Sequence, residues 1–140
     1  MGSFEIYTDG GWKGRWGSWS YLVLQNGAIL REGSGRVRKT NSNRMEFQAA
    51  IEGLRSLSPG STVTISTDFR PLVENISHLP LWREQGWKKS NNRPIPNGDL
   101  LETLHHLIQM HFVTWKWVRA HSGNKYNERC DELCKHHLAY

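Results

Sequence analysis

Apolar and polar positions change period several times along the chain, and each change predicts an element. Residues 4–8 (Phe-Glu-Ile-Tyr-Thr) alternate with period two and run into Asp9-Gly10-Gly11, a strand reaching a turn. Residues 19–25 and 28–32 flank Asn26-Gly27, the strongest short hairpin signal. A period of 3.6 then sets in from about Arg44 to Leu57, with Phe47, Ala50, Ile51, Leu54 and Leu57 on one face, until Ser58-Pro59-Gly60 ends the helix. The β-branched run 62–67 predicts a strand terminating at Asp68. A short helix carrying Leu72, Val73 and Ile76 stops before Pro80. Residues 81–98 are polar and basic around Trp82 and Trp87. Asp99 then caps a helix whose apolar face is Leu100, Leu101, Leu104, Leu107 and Ile108. Residues 112–118 form a last strand. A loop from Arg119 to Tyr126 leads to a helix opening at Asn127, with Cys130, Leu133, Cys134 and Leu138 inward. The order β-β-β-α-β-α-α-β-α predicts an α/β fold: an antiparallel hairpin unit joined to strand–helix–strand units in one mixed sheet with helices packed on it.

At 140 residues and 16.2 kDa the chain has the size of one domain, with no linker or repeat to divide it. An apolar share of 37% against 22% charged residues excludes a disordered chain. No apolar run is long enough to span a membrane, the N-terminus lacks a secretory h-region, and Ile6 stands where a myristoylation signal needs Ser or Thr. Eighteen Lys and Arg against thirteen Asp and Glu give a net charge of +5, compatible with a polyanionic partner. Cys130 and Cys134, four apart on a helix, are poorly placed for a disulfide. His137 shares their face, but zinc needs a fourth ligand that the sequence does not offer, so buried thiols are expected. These features predict a reducing, cytoplasmic setting.

Four acids stand out by position, and each has a plain structural reading beside a chemical one. Asp9 and Asp68 lie at strand ends, where open α/β sheets place their sites, yet one could start a turn and the other cap a helix. Glu46 could close a capping box with Asn43, and Asp131 could favour a helix dipole. Spacing alone does not bring the four together.

Five motifs in order, from residue 4 to about residue 138, decide between these readings. Tyr7-Thr8-Asp9-Gly10-Gly11, Asn43-Arg44-Met45-Glu46, Ser66-Thr67-Asp68, Trp117-Val118-Arg119-Ala120-His121-Ser122-Gly123 and Asn127-Glu128-Arg129-Cys130-Asp131-Glu132-Leu133 resemble the type 1 ribonuclease H family. The resemblance implies a five-stranded mixed sheet and endonucleolytic hydrolysis of the RNA strand of RNA/DNA hybrids, leaving a 5′-phosphate and a 3′-hydroxyl. It implies that Asp9, Glu46, Asp68 and Asp131 converge on Mg²⁺, with Mn²⁺ as substitute, Asp9 bridging. Paired hard cations suit this chemistry, because charge builds on the attacking, phosphoryl and leaving oxygens. His121 matches the family's catalytic-loop histidine, which assists proton transfer. His105, His106, His111, His136 and His137 carry no motif and are expected at the surface.

The resemblance also implies how substrate is held. Lys39 and Asn41 fall where the family grips a DNA-strand phosphate, while Asn43, Gly10 and Gly11 fall where it touches nucleotides in the minor groove. Residues 81–98 resemble the basic protrusion of bacterial members, with Trp82, Trp87 and Lys88 as contacts; the plain reading is a solvated loop whose tryptophans pack on neighbouring helices. This sequence departs from the pattern at Arg15, at Asn41 and Ser42, and at Phe69-Arg70-Pro71, and it places Glu84 among the protrusion's cations. None of these touches the four acids. The reading is a monomeric endoribonuclease with no membrane association and no obligate protein partner. The alternatives are a module of the same fold that binds hybrid or double-stranded RNA with little turnover, and an integrase-like strand-transfer domain.

Overall fold

The computed structural model describes residues 2–138. Five strands, β1 (Ser3–Lys13), β2 (Trp16–Gln25), β3 (Ala28–Arg38), β4 (Thr62–Thr67) and β5 (Phe112–Trp117), form one sheet in the order β3-β2-β1-β4-β5. The first three pair antiparallel and β1-β4-β5 pair parallel, so the expected mixed sheet is present. Helices α1 (Ser42–Arg55) and α4 (Gly98–Gln109) cover one face, and α5 (Lys125–His137) packs on β1 and β2. Between β4 and α4 lie α2 (Arg70–Asn75), a 3₁₀ turn (Ile76–His78) and α3 (Leu79–Glu84).

The main core joins Ile6, Val23, Val63 and Ile65 of the sheet to Phe47, Ile51 and Leu54 of α1 and to Leu101 and Leu104 of α4. A second cluster of Leu22, Leu24 and Cys130 lies under α5. Alternation explains the division: successive residues of β2 serve opposite faces of the sheet. Burial of an aliphatic side chain contributes about 1.5–3 kcal/mol, so both clusters anchor the central strands that carry the site.

Several boundaries differ from the sequence pattern, each for a local reason. β1 continues to Lys13 because β2 pairs with it antiparallel throughout, although its parallel pairing with β4 stops at Thr8–Thr67. Asn26 and Gly27 both have positive φ, 53° and 78°, the geometry of a type I′ hairpin turn. β3 extends past residue 32 because Gly33 and Gly35 lie opposite Tyr21 and Trp19, whose stacked rings cover the two glycines. α1 is capped by Asn41, whose side chain accepts from the Arg44 N–H at 2.9 Å, so Glu46 closes no capping box. α2 ends at Asn75 and the 3₁₀ turn at His78, both before Pro80 as expected, but Pro80 itself lies in the first turn of a further helix, α3, where its missing N–H is unused. Asp99 is not the cap of α4: Asn97 precedes the helix with φ 60°, and Asp99 instead binds Arg44 through two contacts of 2.8 and 3.0 Å. α5 begins at Lys125, capped by Asn124, which puts Asp131 in its second turn, away from the dipole's positive end. His105 and His111 are buried, contrary to their expected surface placement: α4 seats His105 edge-on to Trp87, and His111, past the end of α4, lies against the Leu54 main chain.

Candidate active site

Three carboxylates from three elements meet where the parallel strands open. Asp9 follows the last parallel pair on β1, Asp68 follows the last residue of β4, and Glu46 comes from the second turn of α1. One oxygen from each lies within 4.8 Å of the others. Gly10 makes this approach sterically feasible. A Cβ there would sit 2.5 Å from the Glu46 nitrogen and 2.6 Å from the Met45 carbonyl carbon, backbone atoms that cannot swing away.

The environment disfavours ionisation of all three acids. Asp9 is pushed up from 3.8 to about 8, first by burial and then by the charges of Asp68 and Asp131, with the Gly10 N–H and Lys135 opposing. Burial, followed by Asp9 and Asp68, holds Glu46 well above the ordinary carboxylate range. Asp68 is raised chiefly by burial, while Asn127 and His121 favour its ionised form. Glu46 Oε1 is buried without a hydrogen-bond partner. An all-oxygen donor set with an unsatisfied carboxylate oxygen fits a hard divalent cation, which would supply the missing partner and offset the repulsion. No other group of three or more His, Cys, Asp or Glu converges in this way among the described residues.

Asp131 stands beside this trio and outside it. Its charge acts on Asp9 and Asp68, but its Oδ2 is bound by Lys135 Nζ at 2.8 Å one turn along α5. His121 is exposed, with φ 53°, in the loop after β5, where its charge bears on Asp68. The thiols are buried as expected: Cys130 and Cys134 approach the carbonyls of Tyr7 and Asp9, and burial pushes Cys134 up to about 12. His137 approaches Ser34 at 3.0 Å.

The expected substrate residues divide by region. Lys39, Asn41 and Asn43 line the entry to α1, with Lys39 at φ 55° and its N–H donating to the Arg15 carbonyl at 3.1 Å. Asn41 uses its oxygen as the cap. Gly11 packs near Ser18 and α5. Trp82 and Trp87 are partly buried against the core, stacked on His78 and edge-on to His105 respectively. Lys88 is exposed and bridges Pro94. A cavity of about 280 Å³ between the α1 entry and the protrusion is lined by Asn43, Phe69, Trp82 and Lys89, among others.

Three residues at the site were not singled out from sequence. Asn127 is buried beside Asp68, Lys135 binds Asp131, and Trp117 Nε1 donates to the Asp68 carbonyl at 3.2 Å. Asn127 and Lys135 lie four residues before and after Asp131, so helical spacing could have found both. Trp117 carries no such signal, because its partner is a main-chain oxygen just past the end of another strand.

Comparison with known proteins agrees with this geometry. The RNase H family model matches residues 1–139. A ribonuclease H of Pseudomonas entomophila is 42% identical over 134 residues, covering 94% of this chain and 90% of its own length. That of Hydrogenovibrio crunogenus is 40% identical over 136 residues, covering 95% and 93%. Among solved structures, LC9-RNase H1, a type 1 RNase H with the type 2 active-site motif, superposes with a TM-score of 0.84 at 26% identity, over 97% of this chain and 72% of that one. A foamy viral protease-reverse transcriptase in complex with an RNA/DNA hybrid shares the fold, with a TM-score of 0.83 at 14% identity, over 96% of this chain and 20% of that one. With its mixed sheet, its acidic cluster and these relatives, the chain belongs to the ribonuclease H family of endoribonucleases.

Proposed function

We propose that the chain cuts the RNA strand of RNA/DNA hybrids at the Asp9–Glu46–Asp68 cluster, leaving a 5′-phosphate and a 3′-hydroxyl, with Mg²⁺ as its ion and Mn²⁺ as a substitute. The observation that carries this reading is the convergence of three carboxylates, two of them buried, on one point within 4.8 Å. An ion held by Asp9, Glu46 and Asp68 would activate water and offset charge on the phosphoryl and leaving oxygens.

The chain's own residues set up the rest. Asp9 is central, since it is electrostatically coupled to Glu46, Asp68 and Asp131 alike. Asn127 keeps Asp68 toward its ionised, ligating form. Asp131 acts as the fourth carboxylate once its contact with Lys135 is exchanged. His121, exposed in the loop after β5 beside Asp68, passes protons between the attacking water and solvent. Asn43 and the main chain at Gly10 and Gly11 touch the nucleotides, Lys39 and Asn41 a DNA-strand phosphate, and Trp82, Trp87 and Lys88 the duplex farther out. The protein works as one domain over residues 1–140, as a monomer in the cytoplasm, and uses 81–98 as a handle; no helix among the described residues is long and apolar enough to cross a membrane. A labelled hybrid incubated with Mg²⁺, with and without EDTA, tests the reading. Cleavage of the RNA strand only, abolished by EDTA, is expected; intact hybrid with Mg²⁺ favours a binding module.

A further inference from the structure

Besides the protrusion, a second group of cations gathers at one corner of the sheet. Between Gly10 and Asn41 there are six cations, and the one acid, Glu32, is engaged by Arg129 at 2.7 and 3.0 Å. Arg31 lies apart, donating to the Ser56 carbonyl. The other five, Lys13, Arg15, Arg36, Arg38 and Lys39, are exposed and gather where β1 and β3 end and β2 begins. Register brings them side by side: Lys13 pairs with Trp16, Trp16 with Arg38, and Ser18 with Arg36.

The arginines are arranged and not merely numerous. Arg36 lies 4.0 Å from the Trp16 ring centre and Arg38 5.9 Å, so one indole gathers two like charges. Stacking occupies the face of a guanidinium, whereas a phosphate is bound through the N–H groups in its plane, so the two engagements are compatible. Neighbouring strands are about 4.8 Å apart, which places the charges within a Debye length of one another, and a polyanion relieves their repulsion.

The position of the face selects the polyanion. Lys13 lies four residues beyond Asp9 on the same strand, about 13 Å, which corresponds to about four base steps of a duplex. The face also adjoins the entry to α1 through the Lys39–Arg15 main-chain bond, while the protrusion adjoins the same helix through Arg44 on Asn97 and Asp99. The catalytic helix therefore begins between two grips.

We propose that Lys13, Arg15, Arg36 and Arg38 form a further phosphate-backbone contact, beyond those of Lys39, Asn41 and the protrusion, holding the substrate duplex on the flank of the site away from the protrusion. This rests on the reading above for the identity of the duplex. Such contacts carry no sequence information, so the binding they add is the same for hybrids of any sequence.

Hybrid affinity measured by fluorescence anisotropy in an Asp68→Asn background, at about 50 and about 200 mM salt, tests it; each phosphate contact contributes about 0.9 to the salt slope. Arg36→Gln with Arg38→Gln is expected to lower the slope by about 1.8, so that salt over this range costs about tenfold less affinity than in the parent. Arg36→Lys with Arg38→Lys should keep the slope. Lys13→Gln with Arg15→Gln should lower it without disturbing the Trp16 stack, and melting temperatures verify folding. Parental slopes in both glutamine pairs overturn the proposal. So does binding to phosphatidylglycerol vesicles that needs these residues while hybrid binding does not, a result that half-exposed Trp12 beside Lys13 makes worth measuring. Failure of the wild-type protein to cut labelled hybrid in Mg²⁺ would count against the nuclease reading alone, and leave the binding slopes to judge the face.

Discussion

The carboxylate cluster and the protrusion are built on opposite principles. At the cluster, the buried core of β1, β4 and α1 forces acids together where none is comfortable: Asp9 is 7% exposed, Glu46 8%, and one Glu46 oxygen has no partner. Residues 85–97 are held by main-chain bonds such as Trp87 N–H to Trp82 O and Ile95 N–H to Trp87 O, with Trp87, Asn92 and Asn97 at positive φ. Its cations Lys88, Lys89 and Arg93 remain exposed. The first region is buried and electrostatically unsatisfied, suited to an ion; the second is held by its own main-chain bonds and presents charge outward. Chemistry and grip are thus separable, and substitutions should separate them.

The largest separation is expected from Asp68→Asn. It preserves volume but removes a ligand charge, and loss of several kcal/mol of transition-state stabilisation corresponds to roughly 10³-fold in rate. Cleavage should fall by about that factor while hybrid binding by anisotropy is largely kept. Wild-type turnover at saturating Mg²⁺ would remove Asp68 from the ion site. His121→Ala should cost less, about 10²-fold in kcat with KM nearly unchanged, as for a proton-transfer group outside the ligand set. A raised KM at constant kcat would make His121 a binding residue.

The protrusion should respond in the opposite sense. Lys88→Ala with Lys89→Ala should raise KM at moderate salt and flatten its salt dependence by roughly 0.9 per lost phosphate contact, with the cut pattern along the RNA preserved. Identical KM values for this variant and wild type at two salt concentrations would reduce the segment to a solvated loop. The tryptophans cannot serve here, since both pack against the core and their removal would lower the melting temperature.

The legibility of the two regions in the sequence follows from the same contrast. The hairpin at Asn26-Gly27, the stripe of α1 and the β-branched run 62–67 were readable because period and turn chemistry are local. The three acids were readable only through motif resemblance: each had a local explanation, and their meeting depends on the parallel pairing of β1 with β4 and on Gly10 admitting α1. α3 and Asp99 were hidden for a related reason. A proline is tolerated in a first helical turn, so Pro80 begins α3 after the preceding helix has stopped, and the Asp99 carboxylate is diverted from capping by Arg44, a residue 55 positions away. Trp82 and Trp87 carried two readings, contacts by resemblance and packing on neighbouring helices, and both are partly buried against the core.

The smallest effect, and the one that probes the cluster without substrate, is the pH dependence of stability in the metal-free protein. Asp9 binds its proton more tightly when folded, with its value moved from 3.8 to about 8 by burial and neighbouring acids. A carboxyl raised on folding favours the folded state most below its unfolded value, and that advantage is lost as pH rises through the folded value. His105, His111 and His137 act oppositely: burial lowers each on folding, so their contribution grows as pH rises through about 6.5 and then levels off. The buried thiols enter only near their unfolded value of 9.0. The window from about pH 7 to about pH 8.5 therefore isolates the carboxylates. There the EDTA-treated protein should lose a few degrees of melting temperature as pH rises. Asp9→Asn should flatten the slope, because it removes one titrating carboxyl and lowers the repulsion on Glu46. Added Mg²⁺ should stabilise the wild type more at the upper pH than at the lower, since the ion competes with protons for the same oxygens. A metal-free melting temperature that is constant or rises across this window would mean that the three acids are solvated well enough to ionise freely, and the cluster would lose its claim to be an unsatisfied site.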